Sequence, residues 1–162
     1  MTTLAAQYYD ALIGSWSGQY RLAVTQPAAL ATLPFRVRLM GTLLRLDGNM
    51  TMSTTLQRVS EGMYEHTTRM SRFGLDIATS REMITVAPDG KRFVISGVQR
   101  MPFGREPFEG LGTIDDDANG ADYPISWLGQ PLRQRTRVQP EGVQIVHETS
   151  WCLATVLLKR TS

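Results

Sequence analysis

The chain has two histidines, His66 and His147, and both lie where apolar and polar residues alternate. Such alternation marks a strand with one face turned to a core and the other to solvent. Along Met63–Arg72, Tyr64, His66, Thr68 and Met70 share one face, and Glu65, Thr67, Arg69 and Ser71 share the other. Near the end of the chain, Val143, Ile145, His147, Thr149, Trp151 and Leu153 form the more apolar face, opposite Gln144, Glu148, Ser150 and Cys152. Both imidazoles are therefore expected inside, His66 beside Tyr64 and His147 beside Trp151. A buried imidazole is easily moved across neutrality and can act as acid, base or ligand. Tyr64, His66 and His147 are accordingly the candidate catalytic residues. Either histidine can equally do no more than hydrogen-bond a neighbour in a packed core.

Other side chains suit a wall around an apolar molecule. Six of the eight methionines, Met50, Met52, Met63, Met70, Met83 and Met101, fall in strand-like segments. Methionine adapts to irregular apolar shapes, so it fits a pocket as well as a core. The candidate ligand-binding residues are Tyr20, Met52, Tyr64, His66, Met70, Trp127, His147 and Trp151.

Several chemistries have no residues to carry them. A single cysteine, Cys152, leaves no intramolecular disulfide and no cysteine-based metal site. It is expected to face outward and to be no nucleophile. Asp115–Asp117 beside Asn119-Gly120 lacks the alternating ligands of a calcium loop and reads as a solvated turn. No Gly-rich phosphate loop or nucleophile elbow occurs, so neither a metal nor another cofactor is required. The net charge of +2 and scattered arginines do not point to nucleic acid. Arg133, Arg135 and Arg137 read as the solvated face of one strand. With no secretory pattern and no apolar run of membrane-spanning length, a soluble cytoplasmic protein is expected, a monomer or homodimer without membrane contacts.

The elements that must position these residues are mostly strands. The 162 residues suffice for one domain, 1–162. Leu4–Ile13 predicts a short helix stopped by Gly14. Trp16, Gly18, Tyr20, Leu22 and Val24 share one face of a first strand, and Gln26–Pro34 reads as a loop or short helical lid. Phe35–Leu39 alternates strictly, which predicts a second strand with a bulge near Thr42–Leu44 and a hairpin turn at Asp47-Gly48-Asn49. Met50–Val59, Met63–Arg72, Ile77–Ala87, Arg92–Met101 and Glu109–Ile114 follow as strands. Pro102–Pro107 and Asp115–Pro124 read as connections between them. Ile125–Val138 reads as a strand broken near Gly129–Pro131, and Val143–Lys159 as one long last strand. With no crossover helices, parallel pairing is excluded. The expectation is all-β: a single antiparallel up-and-down barrel of about 8–10 strands with a short N-terminal helix.

Gly14-Ser15-Trp16 after a short helix, with Lys159-Arg160 closing the last strand, resembles the calycin superfamily of lipocalins and fatty-acid-binding proteins. The layout is most similar to small bacterial barrels of the DUF1579 kind. The resemblance implies that Trp16 plugs the closed end of the barrel beneath a late cation. Strict alternation from His147 puts Lys159 on the inner face, so Arg160 could take that role only through a bulge. The resemblance also implies a small hydrophobic ligand in the interior. Calycin-like barrels include cofactor-independent cyclases and isomerases, pericyclases among them, that act on polyketide-like substrates. Catalysis by shape leaves almost no motif. Similarity to heme-binding barrels with a late histidine implies a further alternative, heme on His147.

Overall fold

The computed structural model describes residues 2–45 and 50–161. Helix α1 (Leu4–Leu12) is followed by β1 (Gly14–Gln19) and β2 (Arg21–Val24), then helices α2 (Pro27–Ala31) and α3 (Phe35–Arg45). The remaining strands are β3 (Met50–Ser60), β4 (Met63–Arg72), β5 (Leu75–Val86), β6 (Arg92–Met101), β7 (Gly104–Ile114), β8 (Gly120–Trp127), β9 (Gln130–Gln139), β10 (Gly142–Glu148) and β11 (Cys152–Arg160).

From β3 to β11 each strand pairs antiparallel with the next. β1 pairs with β3 on one side and β11 on the other, and β2 continues along β11. β1 and β2 are thus two segments of one strand bent at Tyr20, and the sheet closes as a ten-stranded antiparallel barrel. Closure brings backbones very close at Gly18, where a Cβ would stand 2.2 Å from the Leu157 carbonyl oxygen. The all-β barrel expected from the alternation is the fold found.

α1 caps one end. Thr3 caps the helix by accepting the Ala6 N–H at 3.2 Å. Tyr8 and Tyr9 are buried with Tyr64, Phe93 and Tyr123 in an aromatic cluster of edge and tilted contacts. Trp16 Nε1 donates to the Leu12 carbonyl at 2.9 Å, and the Arg160 guanidinium lies 4.7 Å from the indole centroid. Arg160 also donates to the Ala11 carbonyl at 3.3 Å. A cation on an indole contributes about 0.5–2 kcal/mol, and here it also meets the carbonyl end of a helix.

α2 and α3 cover the opposite end. Here the structure corrects the expected second strand: Phe35–Arg45 is helical. The buried residues Val37, Met40, Gly41 and Leu44 recur at helical spacing, which the alternation of Phe35–Leu39 masks. The expected turn at 47–49 lies outside the described residues. α3 is tied to the barrel rim by Arg36–Glu106 at 3.3 Å and by Arg72 Nη1 donating to the Leu43 carbonyl at 2.6 Å.

The expected last strand is two strands. Val143–Lys159 folds as the hairpin β10–β11, turned at Thr149–Trp151. The Thr149 hydroxyl accepts the backbone N–H groups of Trp151 and Cys152 at 3.2 and 3.0 Å and so stabilises that turn. The turn resets the phase. Cys152, Ala154, Val156 and Leu158 are buried and Leu153 is exposed, opposite to uninterrupted alternation. Arg160, not Lys159, therefore falls on the inner parity without a bulge. Two smaller differences concern length. β7 and β8 extend into the segments read as connections, leaving Pro102-Phe103 and 115–119 as the turns.

Candidate ligand-binding site

Two buried clusters fill the interior. One gathers Tyr20, Met50, Met52, Val143, Ile145 and the inner residues of β11 against α3. The other gathers α1 with the inner residues of β4–β8. A cavity under α3 contains about 780 Å³ of unfilled space, mouth included. The cavity is narrow. A second chamber beneath α1, with about 500 Å³ of unfilled space, shares His66 and Gln134 with the first.

The upper cavity brings together six of the residues singled out from sequence: Tyr20, Met52, His66, Met70, Trp127 and His147. It does not include Tyr64 or Trp151. Tyr64 points inward as alternation requires, but lies low in the barrel under α1. There its hydroxyl donates to Asp10 Oδ1 at 2.8 Å, beside the Arg58–Asp10 ion pair. Trp151 belongs to the β10–β11 turn, is fully buried, and stacks on Trp127 with centroids 6.1 Å apart. It braces the cavity wall from behind.

His66 and Glu82 face each other across β4 and β5, with His66 Nδ1 2.9 Å from Glu82 Oε2. The other carboxylate oxygen, Oε1, accepts the Ser80 hydroxyl at 2.7 Å. A carboxylate only accepts, so Nδ1 carries the proton and Nε2 is left toward the cavity. On the opposite wall, His147 Nε2 donates to Gln134 Oε1 at 2.8 Å, and His147 Nδ1 accepts from the Tyr20 hydroxyl at 3.1 Å. Gln134 Nε2 in turn donates to the Tyr123 hydroxyl. Burial pushes the His147 pKa down to about 4, only partly opposed by the charge of Glu82, so the ring is neutral at pH 7. Burial raises the Tyr20 hydroxyl well above its ordinary value, which keeps it a donor.

This network bears on the heme expectation. Both His147 nitrogens are engaged, and neither has a lone pair free for iron. The site does not fit a heme held by His147.

Cys152, expected outside, is buried and lines the cavity. Burial raises its thiol pKa, so it contributes volume rather than a nucleophile. The outer face of β9 is as expected, with Arg133, Arg135 and Arg137 paired to Asp122, Glu148, Asp115 and Asp117. That stripe carries signal the sequence reading did not use. If 133, 135 and 137 are outside, Leu132, Gln134 and Thr136 are inside, and all three are buried. Glu82, on the parity of Ser80 and Ile84, was visible in the same way.

No family model matches the chain, and no curated protein matches it. Solved structures do. Rv2717c from M. tuberculosis aligns over 98% of both chains at 14% identity with a TM-score of 0.62. A mutant of the REP1-NXSQ fatty acid transporter aligns over 94% of this chain and 99% of its own, at 11% identity and a TM-score of 0.54. Zebrafish ileal bile acid-binding protein complexed with cholic acid aligns over 93% and 99%, at 13% identity and a TM-score of 0.51. The fold is the one these barrels share, a closed antiparallel β-barrel with a short N-terminal helix.

Proposed function

We propose that the protein binds a small hydrophobic molecule inside the barrel, entering beneath α3. The observation that carries this reading is the unfilled, mostly apolar cavity walled by Met52, Met70, Met101, Ile125, Leu132 and Trp127, with its polar groups grouped at His66 and His147. Binding sites of this kind are concave and apolar, with few oriented polar groups. The similar solved structures named as fatty acid and bile acid binders support it as well. Trp127 provides the readout. Titration with an uncharged apolar fluorophore such as 1-aminoanthracene is expected to quench tryptophan emission with 1:1 saturation, and Met70→Trp, which fills the cavity, to abolish that uptake. Equal uptake by Met70→Trp would place the dye elsewhere and sink the reading.

A second reading, a cofactor-independent cyclase or isomerase in the same cavity, is favoured by the His66–Glu82 pair. His66 Nε2 could take a proton from a bound substrate while Glu82 stabilises the imidazolium, and then return it. On this reading His66→Gln eliminates turnover while 1-aminoanthracene still enters the cavity; unchanged turnover would exclude it. Tyr64 and His147, whose polar atoms are already hydrogen-bonded, have no part in this step.

A further inference from the structure

The polar wall of the cavity carries an orphaned acceptor and neither arginine nor lysine. Among the described residues no arginine or lysine lines either chamber, and Glu82 is the single acid. His66, Glu82, Ser80 and Gln99 lie side by side on β4, β5 and β6, because His66 pairs with Glu82 and Ser80 with Gln99 across the strands. The Glu82 oxygens are occupied by His66 and Ser80. His66 Nε2 makes no hydrogen bond among the described residues, and in the neutral ring it is an acceptor. Gln99 Oε1 is buried without any partner. A buried acceptor left unpaired costs free energy that a donating ligand would recover.

The nearest cation on the inner parity of β4 is Arg72, whose Nε is buried without a partner but which does not line the cavity. It donates to the Leu43 carbonyl of α3 and stacks on Phe73 at 5.2 Å. The opposite wall offers no spare charge either, since His147 is neutral and bonded through both nitrogens.

We propose that the ligand is an uncharged apolar molecule carrying a hydroxyl donor (an alcohol, phenol or enol) that gives its one proton to Gln99 Oε1, beside His66 Nε2, and that carboxylates are selected against. A carboxylate would bring a second negative charge beside Glu82 with no arginine or lysine in the lining to offset it. The acid ligands named for the similar structures are therefore not the class this wall recognises. The inference rests on the reading that the cavity binds hydrophobic molecules.

The experiment is displacement of bound 1-aminoanthracene by dodecanol and by dodecanoic acid at pH 8, where the acid is ionised. The tails match, so only the head differs. Dodecanol is expected to displace about tenfold more tightly, near 1.4 kcal/mol. Gln99→Leu, which removes an unpaired acceptor and should fold at least as well, is expected to weaken dodecanol about fivefold and leave the acid unchanged. Glu82→Gln is expected to strengthen the acid. Equal or tighter binding of the acid by the wild-type protein overturns the proposal, as does an alcohol-to-acid ratio unmoved by both variants. Failure of 1-aminoanthracene itself to enter would instead overturn the cavity reading, and this proposal with it.

Discussion

At the residue scale, the interior is organised by hydrogen-bond bookkeeping around two imidazoles. His147 is enclosed as a neutral ring, donating to Gln134 and accepting from Tyr20. That state has a pH signature. The folded pKa, about 4, lies below the ordinary 6.5, so between these values the unfolded chain holds the extra proton. Stability therefore rises with pH through this window, is fully present above 6.5, and is lost as pH falls toward 4. The contribution is on the order of 3 kcal/mol. Denaturant melts at pH 4 to 7 should show this slope, and His147→Asn should lose it; a wild-type stability flat across the window would mean the ring is not held neutral. The inward direction of both histidines was readable from alternation alone. The orientations of Cys152 and Lys159, and the placement of Trp151 on one strand with His147, were misread for one reason. Alternation carries no record of a tight turn without Gly or Pro, and Thr149-Ser150-Trp151 is such a turn.

At the element scale, α3 is the part that covers the candidate site. It closes the mouth, and it packs on the barrel through Gly41, where a Cβ would stand 3.0 Å from the Trp151 ring. Trp151 in turn stacks on Trp127, which lines the cavity. A side chain at position 41 must push the helix or the indole. Gly41→Val is expected to lower stability by about 1–3 kcal/mol and to accelerate release of a bound apolar probe, measured by melting and stopped-flow dilution. Unchanged release with lowered stability would show that α3 does not gate the mouth. The helix itself was missed because Phe35–Leu39 fits period two for five residues. The phase break at Thr42–Leu44, read as a bulge, was the helical period showing: Val37, Met40, Gly41 and Leu44 are the residues buried.

At the scale of the whole molecule, the two ends of the barrel differ in kind. α1 with its tyrosine cluster and the Arg160–Trp16 cap covers one end, above the smaller chamber, while the helix pair covers the other, above the larger cavity. The barrel was legible because most strands alternate, and the Trp16 cap because Gly14-Ser15-Trp16 with a late cation resembles the calycin superfamily. The site was half legible. Parity finds which residues point inward, but not their height along the axis, which is why Tyr64 and His66, two residues apart, fall into different environments. No helix among the described residues is long and apolar enough to cross a membrane. The methionines report on the central claim at separate heights and faces. In a protein labelled with ¹³C at the methionine methyls, titration with dodecanol is predicted to shift Met52, Met70 and Met101, which line the cavity, and to leave Met63 and Met83 in place. Shifts centred on Met63 and Met83, or none at saturating alcohol, would contradict binding inside the barrel.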